Sequence, residues 1–489
     1  MQYITGTPRQ QLTLMPEAVE DYIPENSPVR FLDAYVESLD MQAYGFNHSE
    51  LNYTGRPPYN PKDLLKLYLY GYLNRIRSSR LLERETHRNL DVLWLINRLT
   101  PDHWVINKFR QENGKALRLV FKHFIKLCKQ LELFSAEFIA IDSTKFKASN
   151  ARDRIKTEQQ LIKDIERLQE SVNQYLEQLD QNDTEDNASQ PSSSGTLTKD
   201  QLQEKIASLT KEQQRLEKAR EEIKTTDSKH ISLTDPDCRL MKRQGKIEPA
   251  YSVHTAVDSK HKLIVDYEVT QDAADNNYLS SLALKAKENL GVETITASAD
   301  AGYYDTIDLK TCEDDGITTF VPIPKHKVSK KTNVPRVEYY PDQFTYDPQS
   351  DTYRCPQGQI MKYYHTTKKK KDGRRIRVYR TGACAGCPVK AHCTTSPRGR
   401  YIHRWEDEAV LDRLKQRISA EPGMTRKRKT IVEHPFGTIK GVWGYGTFLL
   451  RSKPKVSIEA SLLFFTYNLR RVLNIVGTAG LIAALRTSS

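Results

Sequence analysis

Residues 138–146 read FIAIDSTKF. Phe138, Ile139, Ala140 and Ile141 make a continuous apolar run of the kind that lies buried on both faces in the middle of a sheet. The run delivers a carboxylate, Asp142, with Ser143, Thr144 and Lys145 directly behind it. A carboxylate at the end of such a strand has two readings. It is a turn or cap residue satisfying nearby backbone N–H groups, or it is a metal ligand presented at a sheet edge. One residue does not choose between them.

The chain has 489 residues, enough for two to four domains at roughly 100–200 residues each. Its formal net charge is +13, and the positive charge is clustered: KHKVSKK at 325–331, KKKKDGRRIR at 368–377 and TRKRK at 425–429. Three such clusters suit a polyanion, most simply nucleic acid; the alternative is a solvated basic surface. The most apolar stretch, near the C-terminus, is interrupted by Arg470 and Arg471 and does not read as a membrane span. The N-terminus lacks the basic and apolar regions of a secretory signal, so a cytoplasmic location, with action at the nucleoid, is expected. Seven cysteines, an odd number, in such a chain do not predict disulfides.

Residues 1–130 read as a helical, DNA-binding N-terminal domain. Asn60 is placed to cap a helix with Pro61 at its first position and Leu64, Leu65, Tyr68, Leu69 and Tyr72 at helical spacing. A second helix follows in SSRLLERETHRN, and a third in TPDHWVINKFRQENGKALRLVFKHFIKLC, with Thr100 as its cap. Arg75, Arg77, Arg80, Arg84, Lys108 and Arg110 on this series suit a helix-turn-helix-like unit, or the wet face of an ordinary bundle. Residues 155–225 carry two heptad segments, Leu161 to Leu179 and Leu202 to Leu216, around a polar stretch at 180–198. They predict an antiparallel helical hairpin.

Beyond the hairpin the period changes from helical to alternating. AYSVHTAVDSKHKLIVDYEVT (250–270) predicts a β-hairpin, 277–290 a helix, and 316–324 a further strand. The expected fold class is α/β: an RNase H-like mixed sheet with helices on both faces, preceded by the all-α domain. Its first strand lies in 135–154, it continues over 226–324, and it closes with C-terminal helices at 403–489. The helical hairpin interrupts it once, and a basic, cysteine-bearing insertion at 325–402 interrupts it again.

In TITASADAGYYD the Asp142 theme returns: Ile295 and Ala297 alternate into a strand that ends on Asp300, followed by Ala301 and Gly302. A strand order of the RNase H-like kind puts the Asp142 and Asp300 strands side by side. IVEHPFGTIKG places Glu433, Gly437 and Lys440 along one helical stripe, with Lys440 about 10 Å along the axis from Glu433. Pro435 weakens the first turn of that helix, or marks a kink in one already running.

AIDSTKFKA, YSVHTAVDSKHKLIV, ASADAGYYD and VEHPFGTIKG, in this order, resemble the DDE-type transposases of bacterial insertion sequences. The helical segment with TPDHWVINKFR resembles their N-terminal domain. The resemblance implies a catalytic and metal-binding triad of Asp142, Asp300 and Glu433, holding two Mg²⁺ or Mn²⁺ ions that serve to cut and rejoin double-stranded DNA at element ends and target, and a homodimer on that DNA. The family's signature around the Glu is a Tyr, an Arg, the Glu and a Lys. Lys440 matches it, whereas Lys429 stands at the Arg position and Arg426 at the Tyr position. The DNA contacts implied are Lys440, Lys429, Arg426, Arg110 and Lys108. Asp235, Asp237 and Asp258 rank below the triad as turn and loop carboxylates. A nuclease without strand transfer, or a DNA-binding protein that has lost catalysis, are the other readings.

Cys355, Cys384, Cys387 and Cys393 lie within forty residues, two of them as C-x-x-C. That number and tight step match a four-thiolate site for one structural Zn²⁺. Free thiols, or His392 replacing a sulfur, are the alternatives.

Overall fold

A computed structural model describes residues 18–50, 57–186, 198–226, 229–243, 245–324, 333–369 and 373–488. The basic stretch 325–331, part of the next one (370–372) and most of the polar tip between the heptad segments lie outside the described residues. The chain divides into two compact units. The first is Met1–Asp275 with Lys285–Val292 and Thr430–Ser489; the second is Asn276–Leu284 with Glu293–Lys429.

The first unit opens with six helices: α1 (Pro28–Glu37), α2 (Pro61–Leu73), α3 (Ser79–Glu85), α4 (Leu90–Leu95), α5 (His103–Glu112) and α6 (Gly114–Gln130). Asn60 caps α2 as its sequence suggests, accepting from the Lys62 N–H at 2.9 Å, and Pro61 takes the first helical position. The third helix departs from the reading twice. Its cap is Asp102, which accepts from the Val105 N–H at 2.8 Å, not Thr100. It is also two helices, parted at Asn113, whose side chain donates to the Phe109 carbonyl at 2.8 Å. Gly114 opens α6 where the backbone passes close to Ile458: a Cβ there would lie 2.6 Å from that side chain.

Strand β1 (Phe138–Lys147) follows. A short pair, β2 (Ile155–Lys156) and β3 (Ile231–Ser232), ties the base of two long helices, α7 (Glu158–Asp186) and α8 (Lys199–Thr226). Leu161, Leu216, Ala219, Ile223 and Ile231 form their shared core, with Ile165 and Leu168 packed against it. β4 (Arg239–Arg243), β5 (Lys246–Asp258) and β6 (Ile264–Thr270) complete this unit's strands. β5 is central: β1, β4 and β6 all pair with it antiparallel. The C-terminal helical segment, Lys453–Ser488, also belongs to this unit and is broken at Gly477, where φ is +77°.

α9 (Leu279–Leu290) begins in the second unit and ends in the first. Within the second unit, β7 (Ile295–Ser298) and β8 (Ile317–Phe320) pair in parallel through the intervening α10 (Thr306–Asp314). A separate antiparallel sheet then forms from β9 (Thr345–Asp347), β10 (Thr352–Arg354), β11 (Ile360–Lys368), β12 (Arg375–Arg380) and β13 (Ile402–Trp405), in sequential order. Its core is Phe344, Tyr353, Met361, Tyr379 and Ile402. The short α11 (Lys390–Cys393), α12 (Glu408–Ala420) and α13 (Gly423–Phe436) follow. The chain is thus mixed α/β, with an antiparallel strand set in one unit and a parallel pair in the other. Among the described residues no helix is long and apolar enough to cross a membrane.

Candidate active site

Asp142 is not the last residue of its strand. β1 runs on through Lys147, and Asp142 stands where burial changes: Phe138 to Ile141 are buried, Asp142 to Lys145 half-buried. The polar residues stay in the strand because each finds a partner. Side chains alternate along a strand, so Asp142, Thr144 and Phe146 share one face while Ser143 and Lys145 share the other.

On the second face, Ser143 donates to the Asp275 carboxylate at 2.6 Å, and Lys145 pairs with the same carboxylate at 3.2 Å. Lys145 also donates to the Ser252 hydroxyl at 2.7 Å. His254, opposite Ser143 in register, is fully buried, with its Nδ1 4.0 Å from Asp275. Burial pushes this imidazole down to about 4, against the opposing pull of Asp275, so it is neutral at pH 7. The sequence reading missed this cluster. Its signal was Lys145, two residues behind Ser143 on the same strand face, which needs a carboxylate partner when half-buried.

On the first face, Asp142 accepts from the Ser143 N–H at 2.8 Å. Thr255 stands opposite Asp142 in register, and its hydroxyl is buried with no hydrogen-bond partner among the described residues. Directly opposed side chains lie on the same face. An orphan hydroxyl beside a carboxylate is what a metal-bound water or a ligand oxygen would satisfy.

Glu433 is exposed on α13, which was already running before Pro435. The next residue, His434, anchors that helix: its ring bonds to the Tyr467 hydroxyl and to Arg471, both at 2.8 Å. The helical stripe does not carry through to Lys440. Residues Gly437–Val442 form a π-helical turn, which shifts the phase of every later side chain. Lys440 therefore turns inward onto β1, donating to the Thr144 hydroxyl at 2.5 Å and the Lys145 carbonyl at 2.6 Å. Its Nζ also lies 4.5 Å from the centre of the Phe146 ring. Burial, with Arg243 and Lys145 nearby, pushes its ammonium down to about 7. Lys440 thus ties the segment after Glu433 to the Asp142 face of β1.

In the second unit, Asp300 lies two residues past β7 and caps a short 3-10 turn, accepting from the Gly302 N–H at 2.9 Å. Lys108 is exposed on α5, 5.0 Å from the ring centre of the exposed Trp104. Arg426 and Lys429 are exposed on α13. Arg110 is different: it is 4% exposed, lies over the Tyr68 ring at 5.4 Å and donates to the Asn107 side chain at 3.2 Å. Its charge serves the helical core, so it is withdrawn from the DNA contacts. The lower-ranked carboxylates are occupied within the fold. Asp258 accepts from the Ser135 and Ala136 N–H groups, each at 3.1 Å, and Asp235 from the Tyr251 hydroxyl at 2.7 Å. Asp237 accepts from the Lys453 N–H at 2.8 Å.

Cys355, Cys384, Cys387 and Cys393 all line one cavity of about 30 Å³ with Arg400 at its side. Gly399, at φ +88°, lets the chain close on this cavity; a Cβ there would lie 2.7 Å from the Cys384 Cβ. Burial pushes the Cys393 thiol up. Among the described residues no group of three or more His, Cys, Asp or Glu side chains stands as a ready-made metal shell.

Two family models match the chain. The Transposase domain (DUF772) matches residues 17–112, and the Transposase DDE domain matches residues 354–473. Over these two segments the chain is similar to DDE-type insertion-sequence transposases. DDE domains work with divalent metal ions. The DDE match contains Glu433, Lys440 and all four clustered cysteines, and it begins one residue before Cys355. Asp142 and Asp300 lie outside both matched segments. No curated protein and no solved structure matches the chain.

Proposed function

We propose that the chain is a transposase that binds the ends of its element as a homodimer and carries out metal-dependent DNA cleavage and strand transfer on an RNase H-like sheet, with Asp142, Asp300 and Glu433 as the metal-binding triad. The observation that carries this reading is the Lys440 tie, which holds the segment directly after Glu433 on the strand face bearing Asp142. The orphan Thr255 hydroxyl on that face supports it.

Hard divalent cations take oxygen ligands and keep several waters, which suits carboxylates beside a hydroxyl. A pair of Mg²⁺ or Mn²⁺ ions, when bound, activates the attacking oxygen and stabilises the leaving one. The chain's own residues do the positioning. The Asp275–Lys145–Ser143 cluster fixes the strand behind Asp142, and His434 fixes the helix that presents Glu433. Lys440 spends two N–H groups on β1; a phosphate oxygen beside it favours the protonated form and accepts its third N–H. Lys429, Arg426 and Lys108 are exposed cations suited to phosphate contacts that fix register without reading sequence. The four cysteines hold one structural Zn²⁺, for which the cavity they share has the size of a single ion or water.

The test is strand transfer on a substrate carrying paired element ends, built from the DNA flanking this gene. Joined products that need Mg²⁺ or Mn²⁺ and vanish in Asp142→Asn bear the proposal out. Metal-dependent nicking with no joined product leaves the nuclease reading instead, and binding with neither product leaves a DNA-binding protein.

A further inference from the structure

The sheet of the second unit has a face that the cleavage site does not use. β11 and β12 hold five cations, Lys362, Lys368, Arg375, Arg377 and Arg380, and no carboxylate. Two of their register pairs set cation directly against cation: Lys362 opposite Arg380, and, on the other face, Lys368 opposite Arg375. Like charges in that position destabilise a sheet. Arg375 and Arg377 are relieved by Glu406 and Asp351. Among the described residues Lys362, Lys368 and Arg380 have no carboxylate partner.

Aromatic rings stand among these charges. Tyr363 is 45% exposed and Tyr364 49% exposed. The register slips between Tyr363 and His365, so Tyr364 sits at a bulge, a device that re-aims a side chain. The Arg380 guanidinium lies 3.7 Å from the centre of the Tyr364 ring, and Arg377 5.0 Å from that of Tyr363. The His365 ring meets Tyr364 edge-on at 4.7 Å. The four-cysteine cavity adjoins the same sheet through Met361, which gives the strands a firm backing.

Unneutralised cations call for a polyanion, and an exposed ring held by a guanidinium calls for a planar partner. Duplex DNA offers the first and hides the second, because its bases are stacked on one another. An unpaired strand offers both. We propose that this face binds unpaired DNA, with Tyr364 as the ring on which a base stacks, Arg380 holding that ring, and Lys362 on the phosphate. The proposal rests on the DNA-processing reading above and names one substrate form for it.

The experiment uses the full chain and two labelled DNAs of one sequence, a blunt duplex and the same duplex with a single-stranded overhang carrying 2-aminopurine. Binding is followed by anisotropy across a salt series, and stacking by 2-aminopurine quenching. The wild type should prefer the overhang DNA and quench the probe. Tyr364→Leu should lose about tenfold or more of the overhang affinity, with quenching lost, blunt-duplex affinity kept and salt slope unchanged. Tyr364→Phe, which keeps the ring, should restore both. Lys362→Ala should instead lower the overhang salt slope by about 0.7. Equal affinity of the wild type for both DNAs overturns the proposal, as does unchanged overhang binding and quenching in Tyr364→Leu. Either of those results leaves strand transfer at the triad untouched, and absence of all DNA binding would instead remove the reading on which the proposal rests.

Discussion

The two aspartates of the proposed triad are held in opposite ways. Asp142 lies inside β1, paired antiparallel with β5 from Ile139 to Lys147, with a charged cluster behind it and Lys440 clamped alongside. Asp300 stands beyond the end of a four-residue strand, on a 3-10 turn, where it accepts from the Gly302 N–H. The difference teaches that one carboxylate is placed by tertiary structure and the other by local backbone. Asp142 is therefore expected to tolerate no change around it, whereas Asp300 is free to adjust when an ion arrives.

The largest effects should come from the carboxylates themselves. Asp142→Asn, Asp300→Asn and Glu433→Gln should each reduce metal-dependent cleavage by at least about 10²–10³-fold, comparable to losing a group that stabilises transition-state charge. End binding, measured by gel shift, should change little, since it rests on phosphate contacts elsewhere. Cleavage near the wild-type rate in any of the three would remove that residue from the triad.

The comparison sharpens one layer further out. Asp275→Asn should raise the Mn²⁺ concentration needed for half-maximal cleavage by about 10–100-fold, because it frees Ser143 and Lys145 and so loosens Asp142. A titration that matches the wild type would show that β1 is held without this cluster. Replacing Asp305, which caps α10 close to Asp300, by Ala should cost stability of about 1 kcal/mol and leave the Mn²⁺ requirement nearly unchanged.

A separate effect, on stability, is expected at the cysteines. Protein purified without chelator should carry about one zinc per chain. Cys384→Ser with Cys387→Ser should lose it and lower the melting temperature. Elemental analysis showing no zinc would leave the cavity to four free thiols.

A further effect is a pH dependence. Lys440 has its ammonium pushed down to about 7 in the folded chain, against 10.5 for the ordinary side chain. Between those values the unfolded chain holds a proton that the folded chain does not, so stability rises with pH across this window. Lys440→Met removes the contribution. The melting temperature of the wild type should therefore gain on that of the variant between pH 7 and about pH 10. A constant difference would show that Lys440 stays protonated in place.

How much of this was legible in the sequence differs between the same regions. The cap at Asn60, the hairpin around Asp258 and the paired leucine heptads follow local patterns, and the structure has α2, β5 with β6, and α7 with α8 at those places. The strand beyond Asp142 was not legible, because Ser143, Thr144 and Lys145 are strand residues only by virtue of Asp275 and Lys440, which are 132 and 295–296 residues away. The π-helical turn hid Lys440 for a related reason: a stripe drawn at 3.6 residues per turn cannot register an extra residue. Arg110 looked like a surface cation because its partner ring, Tyr68, is on another helix. The break at Asn113 falls on an Asn-Gly pair, a local turn signal that the helical spacing around it outweighed; the closeness of Ile458 to Gly114 is a contact that no local pattern announces.

The central claim is that Asp142, Asp300 and Glu433 share metal. Replacing Mg²⁺ by Fe²⁺ and adding ascorbate and peroxide generates hydroxyl radicals at the metal, which cut the polypeptide beside its ligands. Mapping of the fragments should show three clusters of cuts, near residues 142, 300 and 433, all suppressed together by excess Mg²⁺ and all lost in Asp142→Asn. Cuts confined to one segment, or persisting at 300 and 433 at full strength in Asp142→Asn, would contradict a shared site.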